Sequence, residues 1–288
     1  MRLIKVFAEP SYLLGRFHAV RRAYGLLRAG GQAIGPRSSE VRLFDLYRPE
    51  FVSVPIRASG LVISKAGPQK HLHELARASF SSGVALTTEA AAELRSDACA
   101  APLHGVNASG LTYRDLQGRS DARSRDAILT VPDSRKLSII QAVAGDPLLV
   151  DVVGGHIGYR PRRVECWFFW SLANELTLSE REGLSQTVRF HYDVHGLNFV
   201  YVSFYLTNAS AQSGAHVLIE GTHRSKTVRQ LLASVRIDDA NAERFFGAAR
   251  IRIVEGAAGE GFFEDASCYH KALAPVAGDR LMLQLRYT

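Results

Sequence analysis

From Glu165 onward the chain is a series of short runs rich in β-branched and aromatic residues, each closed by a turn signal. That recurrence limits the possible folds more than any other feature. Cys166-Trp167-Phe168-Phe169-Trp170 opens the series, and Asn198 to Thr207 carries no helical cap. Arg280 to Tyr287 alternates strictly: Leu281, Leu283, Leu285 and Tyr287 fall on one side, and Arg280, Met282, Gln284 and Arg286 on the other. Short strands at such spacing predict a β-sandwich or barrel.

Within this half, Arg189-Phe190-His191-Tyr192-Asp193-Val194-His195 declares a chemistry. Residues two apart on a strand share a side, so His191 and Asp193 present an imidazole and a carboxylate together. These are two of the three ligands in the 2-His-1-carboxylate facial triad of non-haem Fe(II). His270, shortly before the turn Pro275-Val276-Ala277-Gly278-Asp279, is the candidate third. Arg280, just past that turn, is unusual as a core residue, whereas a guanidinium fork suits a carboxylate. An H-x-D tripeptide alone is a weak signal, and the order of all four residues is what gives it weight. Arg286 shares a side with Arg280 and is the alternative clamp if the strand register differs. His195 lies four residues after His191, the helical spacing of a zinc pair, but Gly196 and strand-like neighbours make it a pocket or loop residue. His216 and His223 read as structural or substrate-facing, and Trp167 and Trp170 as core.

The order His191-x-Asp193, then Gly214-Ala215-His216 through Glu220-Gly221-Thr222-His223-Arg224, then His270 and Arg280, resembles the phytanoyl-CoA dioxygenase family of Fe(II)/2-oxoglutarate oxygenases. The likeness covers roughly the C-terminal half, with a fainter echo from Gly145 to Gly158. It implies a mainly β fold with flanking helices around a double-stranded β-helix, the cupin-like jelly roll. It also implies that His191, Asp193 and His270 hold iron, that Arg280 holds the distal carboxylate of 2-oxoglutarate, and that Ser203 lies against this cosubstrate. The implied reaction uses O2 to hydroxylate a C–H bond, releasing succinate and CO2. The family's Pro-Gly-Ser/Thr-His turn lacks its proline here, a loss that touches no ligand. Halogenating relatives carry a small residue at the carboxylate position, so the intact Asp193 favours hydroxylation. Two other classes share these features: a cupin-like metal enzyme that uses no 2-oxoglutarate, and a non-catalytic jelly-roll protein binding an acidic ligand.

With 288 residues, 47% hydrophobic and 22% charged, the chain can bury a full core. We expect one oxygenase domain over 1–288, in which a largely helical and loop part, 1–164, packs on a jelly roll with the metal site at 165–288. Helices are predicted from Gln69 to Ala78, over Thr88–Leu94 with a threonine cap, from Ser134 to Ala144, and from Pro147 to Val153 with Asp146 as cap. Phe51–Ile56 and Gly60–Ser64 read as short strands, Gly30 to Arg48 as a loop or arm, and 105–125 as a lid or loop.

The expected substrate is a small molecule, lipid or glycan; net charge is +7, which favours anionic partners without identifying them and suits a coenzyme A thioester, an acidic glycolipid or a membrane surface equally. No nucleic-acid module or basic–aromatic run is present, so nucleic acid is not expected. Cys99, Cys166 and Cys268 are an odd number without metal spacing, which fits a reducing cytoplasm. Arg2, Lys5, Arg16, Arg21, Arg22 and Arg28, set against Glu9, accompany the stripe Leu13, Phe17, Val20, Tyr24 and Leu27. Such a basic amphipathic helix either packs its stripe on the barrel or touches a membrane surface.

Overall fold

The computed structural model describes residues 10–34, 38–46, 48–107, 110–117, 119 and 125–288. Its strands, in chain order, are β1 (Glu40–Asp45), β2 (Phe51–Pro55), β3 (Val62–Ser64), β4 (Phe80–Leu86), β5 (Ile128–Thr130), β6 (Arg163–Ser171), β7 (Val200–Tyr205), β8 (His216–Ile219), β9 (Ile251–Val254), β10 (Glu260–Glu264), β11 (His270–Ala272) and β12 (Arg280–Tyr287). Among the described residues nine of them form one sheet, ordered β2-β1-β6-β12-β7-β10-β4-β3 with β5 paired to β6. A smaller sheet, β11-β8-β9, faces it. His191 extends the small sheet: its N–H donates to His270 O at 2.9 Å, and the His270 N–H donates back at 2.7 Å. The central strands β6-β12-β7-β10, with the small sheet opposite, are the jelly roll.

The alternation of β12 sorts its side chains between two cores. Leu281, Leu283, Leu285 and Tyr287 enter the large apolar cluster beneath the helices, where each buried side chain contributes about 1.5–3 kcal/mol. Met282, on the other side, joins Phe169, Tyr205, Leu218 and Phe262 inside the roll. The helical layer contains α1 (His18–Ile34), α2 (Pro68–Ala78), α3 (Thr88–Ala100), α4 (Ser138–Ala144) and α5 (Pro147–Ile157). Thr87 caps α3 by accepting from Ala90 N, and Asp146 caps α5 by accepting from Leu148 N.

Several expectations change. The stretch from Gly30 to Arg48 is not merely an arm: β1 pairs in parallel with β6, Leu43 opposite Val164, and carries β2 on its outer edge. Its apolar pair Val41 and Leu43 is too short to announce a strand, and the partner that makes it one lies over a hundred residues away. The predicted helix from Ser134 breaks at Leu137, whose backbone is extended between a single tight turn and α4. Helix α5 runs past Val153 to Ile157 and closes on Gly158 in the left-handed region (φ 87°). In the described part of 105–125, Asp126 accepts from the N–H groups of Val106 and Asn107. A short helix at Tyr113–Leu116 docks there, with Tyr113 stacked on Trp170 at 3.6 Å. Positions 108–109, 118 and 120–124 lie outside the described residues.

Arg2, Lys5 and Glu9 also lie outside the described residues. Along the rest of the N-terminal segment Leu13, Phe17, Val20 and Tyr24 are half-buried, whereas Leu27 is 77% exposed. Two of its arginines turn inward: Arg16 donates to Leu231 O at 2.7 Å, and Arg21 pairs with Asp265 at 3.0 Å. Gly25 permits the close crossing of α1 over α5, since a Cβ there would sit 2.4 Å from Ile157 O. No single helix among the described residues is long and apolar enough to cross a membrane.

Candidate metal centre

His191, Asp193 and His270 converge, with one ligand atom from each lying within 4.8 Å of the others. The regular strand expected through His191 and Asp193 is not formed. His191 makes only the bridge to His270, and the chain then leaves the sheet towards Gly196 (φ 66°). The side chains meet because the Asp193 N–H donates to Ala266 O at 2.9 Å, which pins the carboxylate beside the end of β10. Nε2 of His191 is 3.6 Å from Asp193 Oδ1, and Nε2 of His270 is 4.0 Å from Oδ2.

The rear nitrogens fix both tautomers. His191 Nδ1 lies 3.0 Å from Arg189 O, and His270 Nδ1 lies 3.1 Å from Cys268 O. A carbonyl can only accept, so each Nδ1 carries the proton and each Nε2 offers a lone pair towards Asp193. Burial, reinforced by His270, lowers the His191 imidazole to about 4, so it is neutral at physiological pH. Burial opposes the charge on Asp193, but a hydrogen bond from His195 together with His270 and His191 outweighs it and holds the carboxyl well below its usual range. Two imidazoles turned Nε2-first and one carboxylate are thus pre-set around one point.

Glu264, Cys268 and His270 form a second group with ligand atoms equally close. It is a poorer cation site. Burial pushes the Cys268 thiol well up, and His270 faces Glu264 with the Nδ1 edge that already donates to Cys268 O. Glu264 instead backs the centre: it lies 2.9 Å from His216 Nε2 and 3.9 Å from His270 Nδ1, and the neighbouring His216 and His270 lower its pKa against the effect of burial. Sequence reading missed this pair. The available signal was a carboxylate on the same side of β10 as Phe262, where an apolar residue belongs.

The two candidate arginines differ in their company. Arg286 pairs with Glu165 and donates to Tyr201 Oη at 3.3 Å. Arg280 is 3% exposed, has no acid at ion-pair distance among the described residues, and donates to Gly214 O and to Ser171 Oγ at 3.1 Å. Its Nε is buried without a partner, and burial lowers its pKa. Ser203, fully buried on β7, accepts from Gln284 Nε2 at 3.3 Å. His195 is a loop residue as read, with Nε2 3.5 Å from Asp193 Oδ2. His216 faces the roll, whereas His223 is buried outside it against His18, ring centroids 5.6 Å apart. Trp170 is core, and Trp167 is stacked on Phe169 at 4.1 Å.

The jelly roll recurs in solved structures. AviO1 from Streptomyces viridochromogenes Tue57 is similar with a TM-score of 0.51 at 13% identity, over 78% of this chain and 96% of that one. The non-heme alpha ketoglutarate dependent epimerase SnoN from nogalamycin biosynthesis gives 0.50 at 14% identity, over 77% and 82%. HygX from Streptomyces hygroscopicus, crystallised with nickel and 2-oxoglutarate bound, gives 0.50 at 12% identity, over 76% and 86%. At these identities the likeness establishes the fold. No protein-family model and no curated protein sequence matches the chain.

Proposed function

We propose that this chain is an Fe(II)- and 2-oxoglutarate-dependent oxygenase of the phytanoyl-CoA dioxygenase type, hydroxylating a C–H bond of a small molecule. The observation that carries the reading is Arg280: a guanidinium buried in a jelly roll, with no acid at ion-pair distance among the described residues and its Nε unpartnered. A buried charge without compensation costs several kcal/mol and persists where a ligand supplies its counter-charge. The donor set fits the metal. Two imidazoles held by their Nδ1 atoms so that Nε2 faces inward, with one ionised carboxylate, are what a facial triad offers a divalent cation. HygX, bound to 2-oxoglutarate and nickel, and SnoN, named for its dependence on the same keto acid, support the cosubstrate by analogy of fold.

In this reading His191, Asp193 and His270 hold the metal, and Glu264 with His216 keeps the His270 ring oriented from behind. Arg280 grips the distal carboxylate of the keto acid with its Nε as one of the donors, and Ser203, opposite Gln284, stands on the same face of the sheet. Iron with 2-oxoglutarate and O2 supplies the oxidising chemistry, releasing succinate and CO2. Phe169, Tyr205, Phe262 and Met282 exclude water from the interior. The intact Asp193 carboxylate favours transfer of oxygen over transfer of halide.

The test is an anaerobic titration of the apoprotein with Fe(II) and then 2-oxoglutarate, watching the visible charge-transfer band of the chelated keto acid. A band requiring both components supports the proposal. Bound metal without a band points to a cupin-like enzyme independent of 2-oxoglutarate, and no bound metal points to a binding protein.

A further inference from the structure

The inner face of the large sheet does not stop at the mouth of the roll. β1 and β2 continue it past β6, and their registers align one row of side chains on that face. Phe51 stands opposite Phe44, Phe44 opposite Glu165, Glu165 opposite Arg286, and Arg286 opposite Tyr201. Tyr201 lies against His195, ring centroids 6.4 Å apart, and His195 contacts Asp193. The row therefore runs from an exposed apolar edge directly to the candidate metal centre.

A cleft of about 820 Å³ opens over the end of this row, and its walls hold five arginines against two glutamates. Arg42 and Arg163 sit directly side by side on neighbouring parallel strands. Like charges in that relation repel, so the pair is costly unless an anion lies between them. Arg163 has Glu165 at 3.6 Å, but Arg42 and Arg162 have no acid at ion-pair distance among the described residues. The carboxylate of Glu40 is taken by Ser53. Aromatic rings hold the forks from below: Arg42 lies 4.8 Å over Phe51, Arg163 4.6 Å over Phe44, and Arg28 4.8 Å over Tyr159. A stacked guanidinium keeps its in-plane N–H groups free for an oxyanion.

We propose that this cleft binds a phosphate group on the substrate, with Arg42 and Arg163 as its principal contacts and Arg28 and Arg162 at the rim. Several forks from separate elements, in net positive excess, match the several oxygens and double charge of a phosphate better than a single carboxylate. From the strand of Tyr201 to those of Arg163 and Arg42 are two and three strand spacings, so the phosphate would sit about 10–15 Å from the metal side of the row. The reactive carbon and the phosphate are then joined by a spacer of that reach. Calling the bound molecule a substrate rests on the oxygenase reading, whereas the anion site itself does not.

The test is calorimetric titration of the full chain, without iron or 2-oxoglutarate, using inorganic phosphate and pyrophosphate against acetate at constant ionic strength. Saturable binding of the phosphates is expected, weakened at least tenfold in Arg42→Gln and in Arg163→Gln. Arg42→Lys, which keeps charge but loses the fork, should recover only part of it, and Arg252→Gln, elsewhere on the surface, should bind as wild type. Absent saturable binding, an unchanged affinity in the R42Q/R163Q double variant, or acetate binding as tightly as phosphate would each overturn the proposal. Because neither metal nor cosubstrate enters this titration, its failure leaves the oxygenase reading intact, and a missing charge-transfer band leaves the anion site intact.

Discussion

Replacing Arg280 with glutamine separates the two arginines that the sequence leaves as alternatives. In the folded protein the Arg280 Nε is unpartnered, and a 2-oxoglutarate carboxylate taken bidentately by the guanidinium would gain two charge-assisted hydrogen bonds, one of them at that Nε. Each such bond contributes about 1.5–3 kcal/mol, so their loss should cost about 3–6 kcal/mol. That corresponds to a cosubstrate affinity weaker by roughly two to four orders of magnitude. Without ligand the same change should alter stability little, about 1 kcal/mol either way, because two hydrogen bonds are exchanged for relief from burying an uncompensated charge. Arg286→Gln should do the reverse. It leaves Glu165, whose side chain is 18% exposed, with only Arg163 at 3.6 Å, and should lower unfolding free energy by about 1–3 kcal/mol while leaving 2-oxoglutarate affinity near wild type. Both variants can be read by anaerobic charge-transfer titration and urea denaturation on the same preparations. Wild-type affinity in R280Q, or lost affinity in R286Q, would refute the assignment.

Asp193→Ala or His191→Ala should abolish iron-dependent turnover, and succinate release at the wild-type rate from either variant would contradict the metal assignment. Lys226, fully enclosed and donating to Thr222 O at 2.6 Å, is lowered by burial from 10.5 to about 7. Between those values the unfolded chain binds more protons, so stability should rise as pH increases from 7 to 8.5, and the urea midpoint of Lys226→Met should lose that component of the rise. Gly25→Ala places a Cβ 2.4 Å from Ile157 O and should cost about 1–3 kcal/mol by forcing α1 off α5, measurable as a lower urea midpoint.

The parts of the fold that were legible share a cause: their signals are local. Asp146 with Pro147 announces the start of α5, Thr87 sits at the cap of α3, and the period of β12 sorts its two faces. What was not legible depends on partners far away in the chain. β1 looked like an arm because its strand character comes from β6. His191 and Asp193 looked like strand neighbours, yet they meet through a bridge to His270 and a backbone bond to Ala266. Glu264 shows locally only as a carboxylate on an apolar face, and nothing near it in sequence points to its place behind His270.

Residue identity and order along the chain, by themselves, determined which donors were available: two imidazoles, one carboxylate and a choice of two arginines. Tertiary structure sets the two arginines apart, because the sheet registers bring Glu165 to Arg286, whereas Arg280 has no acid at ion-pair distance among the described residues. It also decided where the surplus positive charge goes. Net charge is a sum that carries no position, whereas pairing β1 with β6 sets Arg42 beside Arg163 over a cleft that opens towards the candidate metal centre.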